Sequence, residues 1–199
     1  MDPALNGLHI GILVTDGFEQ VEMTQPKEAL EGEGAITKII SQRRDTVQGM
    51  NHDAVADQFP VDLYFDEADP HDFDAILLPG GEVNSARIRE IPEAQAFVKG
   101  IAAEGKPLAV ICHAAWLLVS AGLVQGKTMT SYPSLEQDIR NAGGNWVDRE
   151  VVVDGNWVSS RKPEDIPAFN REMIQVFGQR MRDSVRGTPD EGPAGMASS

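Results

Sequence analysis

The stretch Leu108-Ala109-Val110-Ile111-Cys112-His113-Ala114-Ala115 decides the fold. It carries the only cysteine of the chain at the point where an apolar run gives way to helix-forming residues. The run follows a Gly-Lys-Pro breaker and is typical of a strand buried on both faces. The residues after it are good helix formers and end at Gly122, a typical C-cap. The sequence therefore predicts a sharp strand-to-helix turn with Cys112 at its apex.

This position makes Cys112 a candidate nucleophile. Unfilled amide donors and the positive end of a helix favour the thiolate, so we expect the thiol pKa to fall from about 8.5 to between roughly 3.5 and 7.5. An unperturbed thiol is only a few per cent ionised at neutral pH, so such a shift would decide its reactivity. The alternative is that Cys112 is simply a small buried apolar residue, since cysteine is often buried.

Length and composition favour one domain. At 199 residues the chain can form one substantial core, and we expect a domain over 1–182 and a disordered tail over 183–199, because residues 187–199 are rich in Gly, Pro, Ser and Ala. A single cysteine excludes an internal disulfide framework. The first residues lack the regions of a signal peptide, so we expect a cytoplasmic protein.

The charge of the chain limits its partners. A net charge of -14 opposes binding to phosphate backbones and to anionic membrane surfaces, so we expect neither nucleic acid nor membrane as a partner. The least polar stretch, 108–124, contains His113 and Ser120 and fits a strand plus a buried helix better than a membrane span.

Short apolar runs alternate with helical segments, which predicts an α/β fold whose mostly parallel sheet is covered on both faces. The predicted strands are His9–Val14, Ala35–Ile40, Ala75–Leu78, Lys106–Ile111 and Lys127–Thr130, with a hairpin over Val151–Val158 and a hairpin and a peripheral strand within 48–65. The predicted helices are Glu19–Glu31, Pro92–Glu104, Ala114–Gly122, Ser134–Ala142 and Pro163–Arg180.

Three segments should meet beyond the carboxyl ends of the strands, where such sheets bind ligands: Asp16–Glu19, Pro79–Gly81 and Cys112–His113. The Gly80-Gly81 pair would let backbone amides approach a ligand and stabilise an oxyanion, although an ordinary tight turn is the commoner reason for such a pair.

Glu19 and His113 are candidate proton carriers. An ionised Glu19 would raise the thiol pKa, whereas a protonated one could donate a hydrogen bond to the thiolate; it is otherwise an acid at a helix start. His113 can act as base or orienter only if the turn brings its ring to the sulfur. The other histidines lack the spacing of metal ligands, so we expect no metal: His9, His52 and His71.

Several motifs resemble the ThiJ/PfpI superfamily, and the similarity extends from about His9 to Phe177. They are Asp16-Gly17-Phe18-Glu19, Leu77-Leu78-Pro79-Gly80-Gly81, Ala109-Val110-Ile111-Cys112-His113, Thr130-Ser131-Tyr132-Pro133, Asn141-Ala142-Gly143-Gly144 and Val158-Ser159-Ser160-Arg161-Lys162-Pro163. The chain is most similar to the bacterial PfpI-like branch, described as intracellular peptidases, general stress proteins or glyoxalase-type deglycases.

The resemblance implies a flavodoxin-like sandwich that forms homodimers or larger homo-oligomers. It implies that Cys112 is the nucleophile, that Glu19 is its protonated partner, that the amides of Gly81 and His113 lie near the oxyanion, and that Tyr132 lines the site.

Two positions depart from the family pattern. Ala114 stands where the family commonly has glycine, which adds a methyl group at the most crowded part of the turn. The peptidase members take an acid from a neighbouring subunit shortly after Gly-Gly, and residues 82–87 offer no clear equivalent.

The function favoured by these features is a cofactor-independent, cysteine-dependent stress-response enzyme that acts on small reactive aldehydes such as methylglyoxal, or on early glycated adducts. The alternatives are a PfpI-type intracellular cysteine peptidase and a non-enzymatic redox-responsive stress protein or chaperone using the same thiolate. A glutamine amidotransferase is excluded, because it needs a histidine downstream of His113 and none follows.

Overall fold

The structure is a computed structural model, and it describes residues 3–186 of the chain. Its strands are β1 (His9–Leu13), β2 (Phe18–Glu19), β3 (Ile36–Ser41), β4 (Thr46–Asn51), β5 (Ala54–Pro60), β6 (Leu63–Tyr64), β7 (Ala75–Leu78), β8 (Leu108–Ile111), β9 (Thr128–Met129), β10 (Asn145–Trp146), β11 (Val152–Asp154) and β12 (Trp157–Ser160). Its helices are α1 (Gln20–Gly32), α2 (Glu82–Ile88), α3 (Pro92–Ala103), α4 (Ala115–Ser120), α5 (Glu136–Asn141) and α6 (Ile166–Arg186).

The central sheet has seven strands in the order β11-β12-β8-β7-β1-β3-β6. All neighbours pair in parallel except β11 and β12, which form an antiparallel hairpin. A second sheet joins β2, β4 and β5, and a third pairs β9 with β10. The mostly parallel α/β sheet predicted from the sequence is therefore confirmed.

Helices cover both faces of the central sheet and give it two hydrophobic cores. Along β7, Ala75 and Leu77 point into the core beneath α1 and α6, while Ile76 and Leu78 point into the core beneath α3 and α4. All four are buried. This explains why the central strands read as continuous apolar runs rather than as alternating patterns.

The structure differs from the sequence prediction at four places. Helix α6 runs to Arg186, so residues 183–186, assigned above to the tail, are helical; residues 187–199 lie outside the described part of the chain. Helix α2 and the two-residue strands β2 and β10 were not predicted. Within residues 3–186, no helix has both the length and the apolar composition needed to cross a membrane.

Candidate active site

Cys112 lies at the apex of a tight turn between β8 and α4. Its φ is +63°, in the left-handed region that residues other than glycine rarely adopt, and its side chain is only 7% exposed. Its carbonyl accepts a hydrogen bond from the Tyr132 amide at 3.1 Å. Ala114, which raised a question of crowding, has an ordinary helical φ of -61° and packs its methyl group in the core. The predicted strand-to-helix turn is thus present.

The acid beside the thiol is Glu22, on the first turn of α1. Glu22 is buried with Pro26 and Leu30, which lie one and two turns further along the same helix face. Its Oε1 accepts a hydrogen bond from the Gly80 amide at 3.1 Å. The carboxyl also lies against the Cys112 thiol. The other carboxyl oxygen, Oε2, is buried without a well-formed hydrogen bond to any described residue.

Glu19, which the sequence predicts in this role, is placed differently. It ends β2, and its two carboxylate oxygens accept the His52 amide at 3.3 and 3.2 Å. Glu19 lines the same cavity but is not the carboxyl that contacts the thiol. The sequence signal for Glu22 is a glutamate on the buried i, i+4, i+8 face of a helix, where a charged residue needs a special reason.

Burial sets the protonation of the Glu22 and Cys112 pair. Removal from water and, to a smaller extent, the charge of Glu19 together raise the pKa of Glu22 to about 8. Burial likewise raises the pKa of the Cys112 thiol, and negative charge on Glu22 adds to the effect, while the amides of Gly81 and His113 oppose it. The lowered thiol pKa expected from the sequence is therefore wrong for this structure: desolvation outweighs the amide donors.

The two glycines after β7 fit where no other residue would. A Cβ at Gly80 would lie 2.5 Å from Glu22 Oε1 and 2.6 Å from Cys112 Cβ. Gly81 has a φ of +92°, and a Cβ there would lie 2.5 Å from the Gly17 carbonyl oxygen. Without side chains, this segment passes directly between α1 and the cysteine turn. The amide of Gly81 thereby reaches the sulfur.

The turn brings the His113 ring round to the sulfur, with Nδ1 3.2 Å from Cys112 Sγ. The ring stacks on Tyr132 at a centroid distance of 4.4 Å and contacts Trp116 at 5.3 Å. Burial lowers the pKa of His113, and the charge of Glu82 partly opposes this. His113 is therefore held as a neutral imidazole next to the thiol.

These groups line a cavity of about 450 Å³. Cys112, Gly81, His113 and Tyr132 lie along it, while Gly80 stands behind it and holds Glu22. The cavity is also lined by Glu19, Glu22, His52, Asp53, Glu82, Lys162, Pro163 and Glu164. In residues 3–186, no group of three or more His, Cys, Asp or Glu side chains is arranged to hold a metal ion.

The fold and the cysteine turn define an α/β protein of the kind indicated by the sequence motifs, and comparison with known proteins gives the family. The chain belongs to the DJ-1/PfpI family, whose sequence model matches residues 9–176.

Three relatives illustrate the range of this similarity. A deglycase of Pyrococcus abyssi is 43% identical over 170 residues, which are 85% of this chain and 99% of that protein. A Bacillus subtilis protein named as a candidate cysteine protease is 38% identical over 169 residues, 84% of this chain and 97% of that one. The crystal structure of Drosophila melanogaster DJ-1beta superposes with a TM-score of 0.77 at 25% identity, covering 91% of this chain and 97% of the other.

Proposed function

We propose that this protein is a cysteine-dependent deglycase or glyoxalase that acts on small reactive carbonyls or on their early adducts with proteins. The single observation that carries the proposal is that the buried Cys112 sulfur contacts both the Glu22 carboxyl and, at 3.2 Å, the His113 ring nitrogen. One nucleophile with two proton carriers is the minimum set for adding a thiol to an aldehyde and moving a proton between carbons. The deglycase name of the Pyrococcus abyssi relative supports it.

The first step is addition of the thiol to the aldehyde. As the Cys112 sulfur bonds to the carbonyl carbon, its proton passes to neutral His113 or to the ionised fraction of Glu22. The carbonyl π electrons move to oxygen, where the amides of Gly81 and His113 would stabilise the charge. Return of the proton to this oxygen gives a neutral hemithioacetal.

A second proton transfer would complete the conversion of a dicarbonyl. The base removes the hydrogen of the former aldehyde carbon as a proton, and the neighbouring carbonyl oxygen is protonated, which gives an enediol. The neighbouring carbon then takes up a proton while the hydroxyl on the sulfur-bearing carbon loses one, which gives a thioester of a 2-hydroxy acid. Water then cleaves the thioester and frees Cys112. The balance is dicarbonyl plus water to 2-hydroxy acid, with methylglyoxal giving lactate, and no external oxidant or reductant is consumed.

Glu22 replaces Glu19 as the proposed carboxylic partner, because Glu22 contacts the sulfur. A carboxyl with a pKa near 8 is close to the operating pH, where one group can both accept and donate a proton efficiently. Tyr132 is proposed to hold the His113 ring by stacking. We also expect a cytoplasmic homo-oligomer, on the resemblance given above.

Cysteine peptidase activity is the second candidate, and the close contact of Cys112 with His113 is the observation that favours it. Peptide hydrolysis additionally requires protonation of an amine leaving group by a well-oriented acid. The test is purified protein against methylglyoxal, followed as lactate, and against a peptide panel, with Cys112→Ala as control. Cys112-dependent peptide cleavage without dicarbonyl conversion would reverse the order of the two candidates.

A further inference from the structure

The walls of the cavity around Cys112 are strongly acidic. Apart from Glu22, which contacts the thiol, the cavity is lined by four carboxylates and one lysine: Glu19, Asp53, Glu82, Glu164 and Lys162. They come from four separate parts of the chain, namely β2, the turn between β4 and β5, the start of α2, and the loop after β12. The fold thus collects negative charge at one place.

Three of these carboxylates are not neutralised within the described part of the chain. Asp53, Glu82 and Glu164 are exposed and form no ion pair with any described residue. Their field reaches the reacting groups, since Glu82 acts on His113 and Glu164 acts on Glu22.

A second observation indicates that the cavity receives a ligand. Glu22 is fully buried, it lines the cavity, and its Oε2 has no well-formed hydrogen-bond partner among the described residues. Buried polar atoms are nearly always paired, so an unpaired carboxyl oxygen beside a nucleophile is suited to an incoming polar group.

We infer that the acidic wall formed by Asp53, Glu82 and Glu164 selects the carbonyl substrate by charge, admitting uncharged and cationic carbonyls and excluding those that carry a carboxylate. The inference rests on the proposed function for its substrates, but the selection itself acts on any reagent that approaches Cys112. Glyoxylate would be a poor substrate, whereas methylglyoxal, of similar size and uncharged, would be accepted.

The expected size of the effect follows from the cavity. A volume of about 450 Å³ corresponds to a sphere about 5 Å in radius, and roughly 2 Å more to the carboxylate charge puts each wall charge about 7 Å from a reagent at the centre. One unit charge at this distance in water changes the local concentration of a monovalent anion about two- to threefold at low salt. Removing three carboxylates together should therefore change discrimination about tenfold.

The single cysteine makes the test direct, because every thiol label reports on one sulfur atom. Iodoacetate and iodoacetamide are similar in size and differ in charge. We expect the rate of alkylation by iodoacetate relative to that by iodoacetamide to be about tenfold lower at Cys112 than at free 2-mercaptoethanol at low ionic strength. The ratio should rise about tenfold in Asp53→Asn/Glu82→Gln/Glu164→Gln and approach the free-thiol value in 0.5 M salt.

A control removes a carboxylate from another part of the surface, Glu172, which pairs with Arg171 at 3.6 Å. Glu172 lies on α6, against the opposite end of the central sheet, near the residues that precede β8 and β12. Glu172→Gln should leave the ratio unchanged. Betaine aldehyde and its uncharged isostere 3,3-dimethylbutanal give a second comparison, in which the cation should protect Cys112 from iodoacetamide at lower concentration.

The outcomes separate this inference from the proposed function. A rate ratio equal to that of the free thiol, unaffected by the triple substitution, overturns charge selection even if methylglyoxal is converted. Normal charge discrimination with no conversion of any carbonyl overturns the proposed function and leaves the selective wall in place. If the ratio of alkylation rates changed equally in the triple variant and in Glu172→Gln, the effect would come from the overall charge of the protein, and the inference would also be overturned.

Discussion

Replacing Glu22 by glutamine should stabilise the protein, and the gain should grow with pH. The pKa of Glu22 is about 8 in the folded protein against 4.5 in the unfolded chain. Between these values the folded state binds more protons than the unfolded state, so the stability of the wild type falls as pH rises. Glutamine keeps the oxygen that accepts the Gly80 amide and cannot ionise.

The magnitude follows from the two pKa values. At pH 5 the unfolded carboxyl is only partly ionised and the folded one is protonated, so little stability is lost. At pH 8 the unfolded carboxyl is fully ionised while about half of the folded population is protonated. With about 1.4 kcal/mol for each pKa unit, the free energy of unfolding of Glu22→Gln relative to wild type should increase by about 3 kcal/mol between pH 5 and 8.

Urea denaturation of both proteins at pH 5, 6, 7 and 8 measures this difference, and thermal melting should show a gap that widens by about 6 to 12 °C over the same range. Glu28→Gln removes an exposed carboxylate from the same helix and is the control. A constant offset would reflect lost packing and would not alter the slope. A Glu22→Gln difference that stays flat across this pH range refutes the reasoning.

Three further changes test the site. Cys112→Ser should abolish carbonyl conversion and leave the circular dichroism spectrum intact, because a hydroxyl is much harder to ionise than a thiol; turnover near the wild-type level would show that another group is the nucleophile. Gly80→Ala should lower the free energy of unfolding by about 1 to 3 kcal/mol, because its Cβ would meet backbone and side-chain atoms within 2.8 Å. Gly32→Ala is the control and should be neutral or stabilising, because Gly32 has open space around it. Equal effects of the two substitutions in urea denaturation would contradict the tight packing described at Gly80. His113→Ala should reduce kcat about 10²-fold and alter its pH profile, and an unchanged profile would remove His113 from proton transfer.

The central sheet and the cysteine turn could be predicted because their signals are local. The run before Cys112 and the run Ala75–Leu78 are apolar at every position, as expected of strands covered on both faces. The hairpin over 151–158 was signalled by Asp154-Gly155, and the structure pairs β11 with β12 on either side of it.

The identity of the buried acid depended on helix phase, which proximity along the chain does not show. Glu19 is nearer to the end of the first strand, but Glu22 lies on the face of α1 that turns toward Cys112. The protonation states of Cys112 and Glu22 could not be predicted from a local sequence pattern either, because their burial arises from the packing of segments that are distant in sequence. Helix α2 was missed because its seven residues carry only a short pattern.

The absence of a side chain at Gly80 ties together three positions that are far apart in the chain. The space that a methyl group would need is occupied by the Glu22 carboxyl on one side and by the Cys112 side chain on the other. The size of residue 80 is therefore coupled to positions 22 and 112: a larger residue at 80 requires a shorter one at 22 or a displaced turn at 112. Anyone who grafts this site onto another scaffold has to transfer the three positions as one unit.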